Sequence, residues 1–210
     1  MVFGFVNKKS GGEIKLINDT EHLYHYFNNA KPPLRTITSL PFDEAFDILT
    51  TVHADSPEFS DLPPGFWNRF LQRRYDADKI LRDKFISVGG KPVRTAPIYF
   101  TLGENEGMKT WYDNLEWIKI PVIEFDPDTI SFTYGDSFAV FNPDLDTGEE
   151  YWGQVYFYDE ILNLIDKYGY PEDPPYDMKN KIFPKDKPIN QYLKYIEAHV
   201  WSDEILDKYR

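Results

Sequence analysis

The stretch Tyr195-Ile196-Glu197-Ala198-His199-Val200-Trp201, YIEAHVW, decides the fold because it reads two ways. Together with the preceding residues, Ile189, Leu193, Ile196 and Val200 fall at helical spacing, whereas within the heptapeptide apolar and polar residues alternate with the period of a strand. We read a strand from Tyr195 to Trp201 flanked by short helices, with a helix over 189–201 as the competing reading. The strand turns Ile196, Ala198 and Val200 toward a core and leaves Tyr195, Glu197, His199 and Trp201 together on the opposite face.

Working outward, two further segments alternate in the same way. Leu23-Tyr24-His25-Tyr26-Phe27 places Leu23, His25 and Phe27 on one face and both tyrosines on the other, and Ile98, Phe100 and Leu102 alternate with Tyr99 and Thr101. WIKIPVIEF and ISFTYG, joined by the turn Asp126-Pro127-Asp128, read as consecutive strands, the first at a sheet edge or bulged because Pro121 lacks an N–H to donate. YWGQVYF reads as another β-run, and residues 2–6 and 13–17 as a hairpin about a Ser-Gly-Gly turn. Helices are expected after Ser39, which can cap one containing Phe42, Ala45, Phe46 and Leu49; from Phe66 to Val88; briefly around Met108; and from Asp159 to Tyr168 before Gly169. The proline-rich residues 170–188 read as a loop or surface strap. Strands adjacent in sequence with helices intervening irregularly predict an α+β fold, a largely antiparallel or mixed sheet in one domain over residues 1–210.

Composition narrows the function classes. The 210 residues carry no cysteine, which excludes disulfides, thiolate chemistry and cysteine-built metal sites, and the four histidines are scattered, so no metal site is expected. A net charge of −12 opposes nucleic-acid binding, which gains affinity from Lys and Arg displacing counterions. Charge is segregated: Arg69 to Arg94 holds eight basic residues against three acids, and Asn142 to Asp177 ten acids against Lys167. No apolar run reaches the ~20 residues of a membrane span and the N-terminus lacks the order of a secretion signal, so a cytoplasmic protein is expected. DLDTGEE lacks the glycine and glutamate of a calcium loop, and the chain carries neither a P-loop nor a dinucleotide glycine fingerprint.

The polar residues that could carry chemistry are few. Glu197 and His199, two apart on one strand face, form a carboxylate–imidazole pair of the kind that fixes a tautomer for acid–base work, or a structural contact. Arg73 and Arg74 place a guanidinium near the buried edge of a helix, where it pairs with a carboxylate or meets an anion. Arg94 is a further candidate for a phosphate or carboxylate, and Asp136, in the turn TYGDSF, can bond backbone amides or line a cleft. His25, between Leu23 and Phe27, is expected to pack with its ring nitrogens hydrogen-bonded.

A histidine in an early strand, a tyrosine in a middle strand and a late glutamate, here His25 in LYHYF, Tyr99 in IYFTLG and Glu197 in YIEAHVW, resembles the His-Tyr-Glu order of the ADP-ribosyltransferase-like superfamily. The resemblance implies that His25 contacts a nicotinamide ribose, Tyr99 stacks on nicotinamide and Glu197 assists transfer from NAD. The chain departs from that pattern at Tyr26 and Phe27, where the family carries Gly, Thr or Ser. Two expectations follow. The leading one is a cytosolic acidic binding protein, of inhibitor or immunity type, that engages a basic protein partner and needs no cofactor; the alternative is an NAD-using enzyme with a small-nucleotide site.

Overall fold

The computed structural model describes residues 19–53, 63–112, 114–146, 148–171 and 195–210. The expected hairpin at residues 2–17, most of the proline-rich strap and the helix before Tyr195 lie outside them. Strand β1 (His22–Asn28) is followed by helices α1 (Phe42–His53) and α2 (Phe66–Ser87), strand β2 (Ile98–Leu102), the short helix α3 (Glu106–Lys109) and strand β3 (Leu115–Pro121). Strand β4 (Ile130–Tyr134), the single turn α4 (Ser137–Val140), helix α5 (Tyr158–Tyr168) and strand β5 (Ile196–Val200) complete the α+β architecture. YIEAHVW is therefore extended. No helix among the described residues is long and apolar enough to cross a membrane.

The five strands form one antiparallel sheet in the order β3-β1-β2-β5-β4, with β5 hydrogen-bonded on both sides. Every residue of β5 is buried, so its two faces are two different interiors. Ile196, Ala198 and Val200 join Phe100, Phe132 and the α5 residue Ile161 in the larger core. On the other face Trp201 packs with Leu81 and Phe85 of α2 and with Val155. Pro121 closes β3 at the sheet edge, where a missing N–H leaves no ladder bond unmade.

Helix α2 crosses that second face. Its buried stripe is Leu71, Ala77, Asp78, Leu81 and Phe85, with Trp67 and Phe70 only half-buried, a slight rotation from a face through Trp67, Phe70, Ala77, Leu81 and Phe85. The rotation brings Arg74 and Asp78, one turn apart, over the sheet. Beyond its end, Gly90 lies against the Phe85 ring, where any Cβ would overlap it.

Two expected elements form differently. YWGQVYF is no strand: Tyr156 makes one isolated bridge to Phe132, and the chain before it turns through Gly153 at φ +65°. Ser39 sits in a separate 3-10 turn with its hydroxyl donating to the Thr36 carbonyl, three residues ahead of α1. The helix instead begins after Pro41 with Asp43 and Glu44 at its positive end.

Candidate functional site

Strands β1 and β2 are paired through Leu23–Leu102 and Tyr24–Thr101 and then part. A cleft of ≈ 240 Å³ occupies the opening, bordered by Tyr26, Tyr99, Tyr112, Tyr195, Arg35 and Glu197, with Tyr24, His25, Thr36, Ile37, Phe100, Thr101 and Met108 completing the lining. Register explains the gathering. Thr101 lies opposite Glu197 and Tyr99 opposite His199, so β2 and β5 present their polar side chains to the α2 face together.

At the floor stands Glu197, 6% exposed. Its Oε2 accepts the Ser137 backbone N–H at 2.8 Å and the His199 Nε2–H at 3.1 Å. Burial alone would raise this carboxyl, but the His199 and Ser137 hydrogen bonds and the charge of Arg74 outweigh it and hold it below the usual glutamate range. His199, fully buried, sets its Nδ1 3.1 Å from the Ser131 carbonyl and 3.3 Å from the Ser131 hydroxyl, which also accepts the Trp201 indole N–H at 2.9 Å. The pair expected from sequence is thus real, and both His199 nitrogens are engaged.

Asp136 takes the Tyr195 hydroxyl at 2.8 Å on one oxygen and the Phe138 N–H at 2.8 Å on the other. Burial, reinforced by the neighbouring Glu197 charge, pushes its carboxyl up. Two nearby acids are therefore driven in opposite directions. Asp78, 3% exposed and also raised by burial, accepts the hydroxyls of Thr38 and Tyr99.

Arg74 sits among these three acids. Its guanidinium lies 4.8 Å from the Tyr99 ring centre and 5.2 Å from that of Phe138, a cation over two aromatic faces. Burial disfavours its charge, but Tyr99, Asp78, Asp136 and Glu197 reverse that and raise its pKa. Three carboxyl groups face one guanidinium, so ionisation leaves the cluster negative.

The remaining predicted residues lie elsewhere or are already engaged. Arg73 is exposed and rests 4.6 Å over the Phe138 ring. Arg94 is no ligand contact: its Nη1 donates to both Asp203 oxygens at 2.6 and 2.7 Å, and its Nε to the Ala96 carbonyl, an ion pair with a residue far along the chain. His25 points to the opposite sheet face from Tyr99 and Glu197, its ring 5.2 Å from that of Phe100. There its Nδ1–H donates to the Tyr99 carbonyl at 2.9 Å and its Nε2 accepts the Leu34 N–H at 3.1 Å. His25 borders the cleft as a brace between β2 and the loop after β1, with Leu34 held at φ +56°.

That geometry defines a neutral Nδ1–H tautomer, and burial lowers the His25 pKa. A depressed folded value means stability is complete above the ordinary histidine value of ~6.5 and is lost as pH falls below it. The melting temperature is therefore expected to fall between pH 7.5 and pH 5, with a shallower slope in His25→Gln; an unchanged slope in the variant would show that another group titrates.

Sequence reasoning missed Asp78, Tyr112 and Ser131. Asp78 had one available signal, its position four residues after Arg74 on the same helical stripe. Among the described residues no group of three or more His, Asp or Glu could hold a metal ion. No protein-family model, curated protein or solved structure matches the chain.

Proposed function

We propose that this is a cytosolic acidic interaction protein that binds a basic protein partner. One observation carries the reading. Asp144, Asp146, Glu149, Glu150, Asp159, Glu160 and Asp166 are all exposed on the segments around α5, and among the described residues only Glu150 of them is ion-paired, to Lys167 at 2.6 Å. Like charges left uncompensated on a structured surface repel one another, and a cationic partner relieves that repulsion on docking. The absence of cysteine accords with a reducing compartment.

The test is a complex rebuilt from purified components after capture of a stoichiometric basic protein. Its affinity is expected to fall by about tenfold between low and physiological salt, as screened surface charges require. Glu149→Lys with Asp166→Lys is expected to weaken it comparably, and insensitivity to both salt and charge reversal would refute the reading.

Transfer from NAD is kept as a second reading because His25, Tyr99 and Glu197 border one cleft. It requires a ribose contact from a histidine whose nitrogens are both occupied, and a stacking face on a Tyr99 ring already covered by Arg74 and met edge-on by His199. A rise in melting temperature with NAD would favour it by mass action, and no rise at millimolar NAD would end it.

A further inference from the structure

We infer that the cleft between β1 and β2 receives a single lysine side chain, presented by the basic partner; the inference rests on the partner reading above for the source of that lysine. Among the described residues Glu197 is the one carboxylate that lines the cleft. Glu197 is nine-tenths buried, its Oε2 is committed to Ser137 and His199, and among the described residues its Oε1 has no hydrogen-bond partner, which leaves that oxygen to the cleft. A carboxylate oxygen that borders the cleft offers a cationic donor a charge-assisted hydrogen bond, stronger than one between neutral groups.

The sign of the ligand follows from where the charges sit. Glu197 and Arg35 are the formally charged residues of the lining, and the Arg74 guanidinium behind it is shared among Glu197, Asp78 and Asp136; Arg35 is exposed at the rim and screened by solvent, whereas Glu197 lies in the interior, where Coulomb interaction is stronger. The Tyr112 hydroxyl, without a hydrogen-bond partner among the described residues, adds an acceptor, while Met108 and Ile37 offer apolar surface for a methylene stem.

Size and valence select lysine. At ≈ 240 Å³ the cleft lies below the ~300–1,000 Å³ of sites for drug-sized ligands, and suits one side chain. A guanidinium is held best by both oxygens of a carboxylate, and here one is taken, so the fork finds half its partner. An ammonium is a compact charge that a single oxygen satisfies.

The test titrates the full chain with Nα-acetyl-lysine methylamide, its arginine counterpart and its norleucine counterpart, following the Tyr112 ring signals by NMR. Saturable binding of the lysine compound is expected, with arginine at least about fivefold weaker and norleucine not binding. Glu197→Gln, which retains an acceptor for His199, is expected to weaken lysine binding about tenfold or more. Arg35→Glu, at the exposed rim, is expected to tighten it about threefold, and decides the matter if Glu197→Gln is unfolded. Arginine binding as tightly as lysine, indifference to these substitutions, or no binding of the lysine compound would overturn the inference. If the lysine compound binds but no basic protein does, the cleft stands and the partner reading falls. If a basic protein binds through the acidic surface with Glu197→Gln indistinguishable from wild type, the partner reading stands and the cleft inference falls.

Discussion

Replacing Trp201 by alanine is expected to destabilise the protein by about 3–5 kcal/mol, the range for emptying a buried aromatic site. Trp201 is fully buried, stacks 6.2 Å from Phe85 and donates its indole N–H to Ser131. It fills the space between β5 and α2 beside Leu81, Phe85 and Val155. For a chain of this length the loss lowers Tm by roughly 10 °C, measurable by calorimetry. Trp117, on the edge strand and 48% exposed, is the control: Trp117→Ala is expected to change stability by less than about 0.5 kcal/mol. Equal effects at the two tryptophans would contradict the packing described.

The second large effect is expected from Glu197→Ala. The truncation leaves the Ser137 N–H and the His199 Nε2–H without an acceptor in a buried setting, and each stranded donor costs about 1–3 kcal/mol, so about 3 kcal/mol is expected in all. Because the folded carboxyl is held below its ordinary value, its contribution is present above the unfolded glutamate pKa and is lost as pH falls through the folded one. The gap between wild type and Glu197→Ala is therefore expected to be full at pH 7 and to close in acid, as urea unfolding at several pH values would show. A constant gap would mean that Glu197 acts through packing alone. Glu197→Gln is expected to lose less, since its amide oxygen replaces Oε2.

The alternating segments were legible because a strand with two different faces writes a period of two into its side chains. LYHYF, IYFTL and YIEAHVW all place the expected residues on the expected faces, and β5, between two neighbours, has both faces buried. Glu197 and His199 were visible for the same reason. YWGQVYF carried the same aromatic content without becoming a strand, because residue type does not specify whether a pairing edge is within reach. Arg94 could not be recognised as an ion-pair residue, since Asp203 reaches it only after the chain has folded. The role of His25 was half legible: packing with satisfied nitrogens was expected, but its partners are the backbone atoms of Tyr99 and Leu34, and backbone atoms leave no signature in sequence. The cleft itself was hidden, because it arises where β1 and β2 stop pairing.

Everything at the site depends on residues 196–200 being a strand between β2 and β4. Proton NMR tests this directly through cross-strand contacts between Hα atoms, which approach closely at alternate pairs of an antiparallel ladder. The account predicts such contacts linking Ile196–Val200 to Ile98–Leu102 on one side and to Ile130–Tyr134 on the other, in the register that sets His199 opposite both Tyr99 and Ser131. A run of sequential amide–amide contacts through 196–200 with i to i+3 connectivities, as a helix gives, would contradict it.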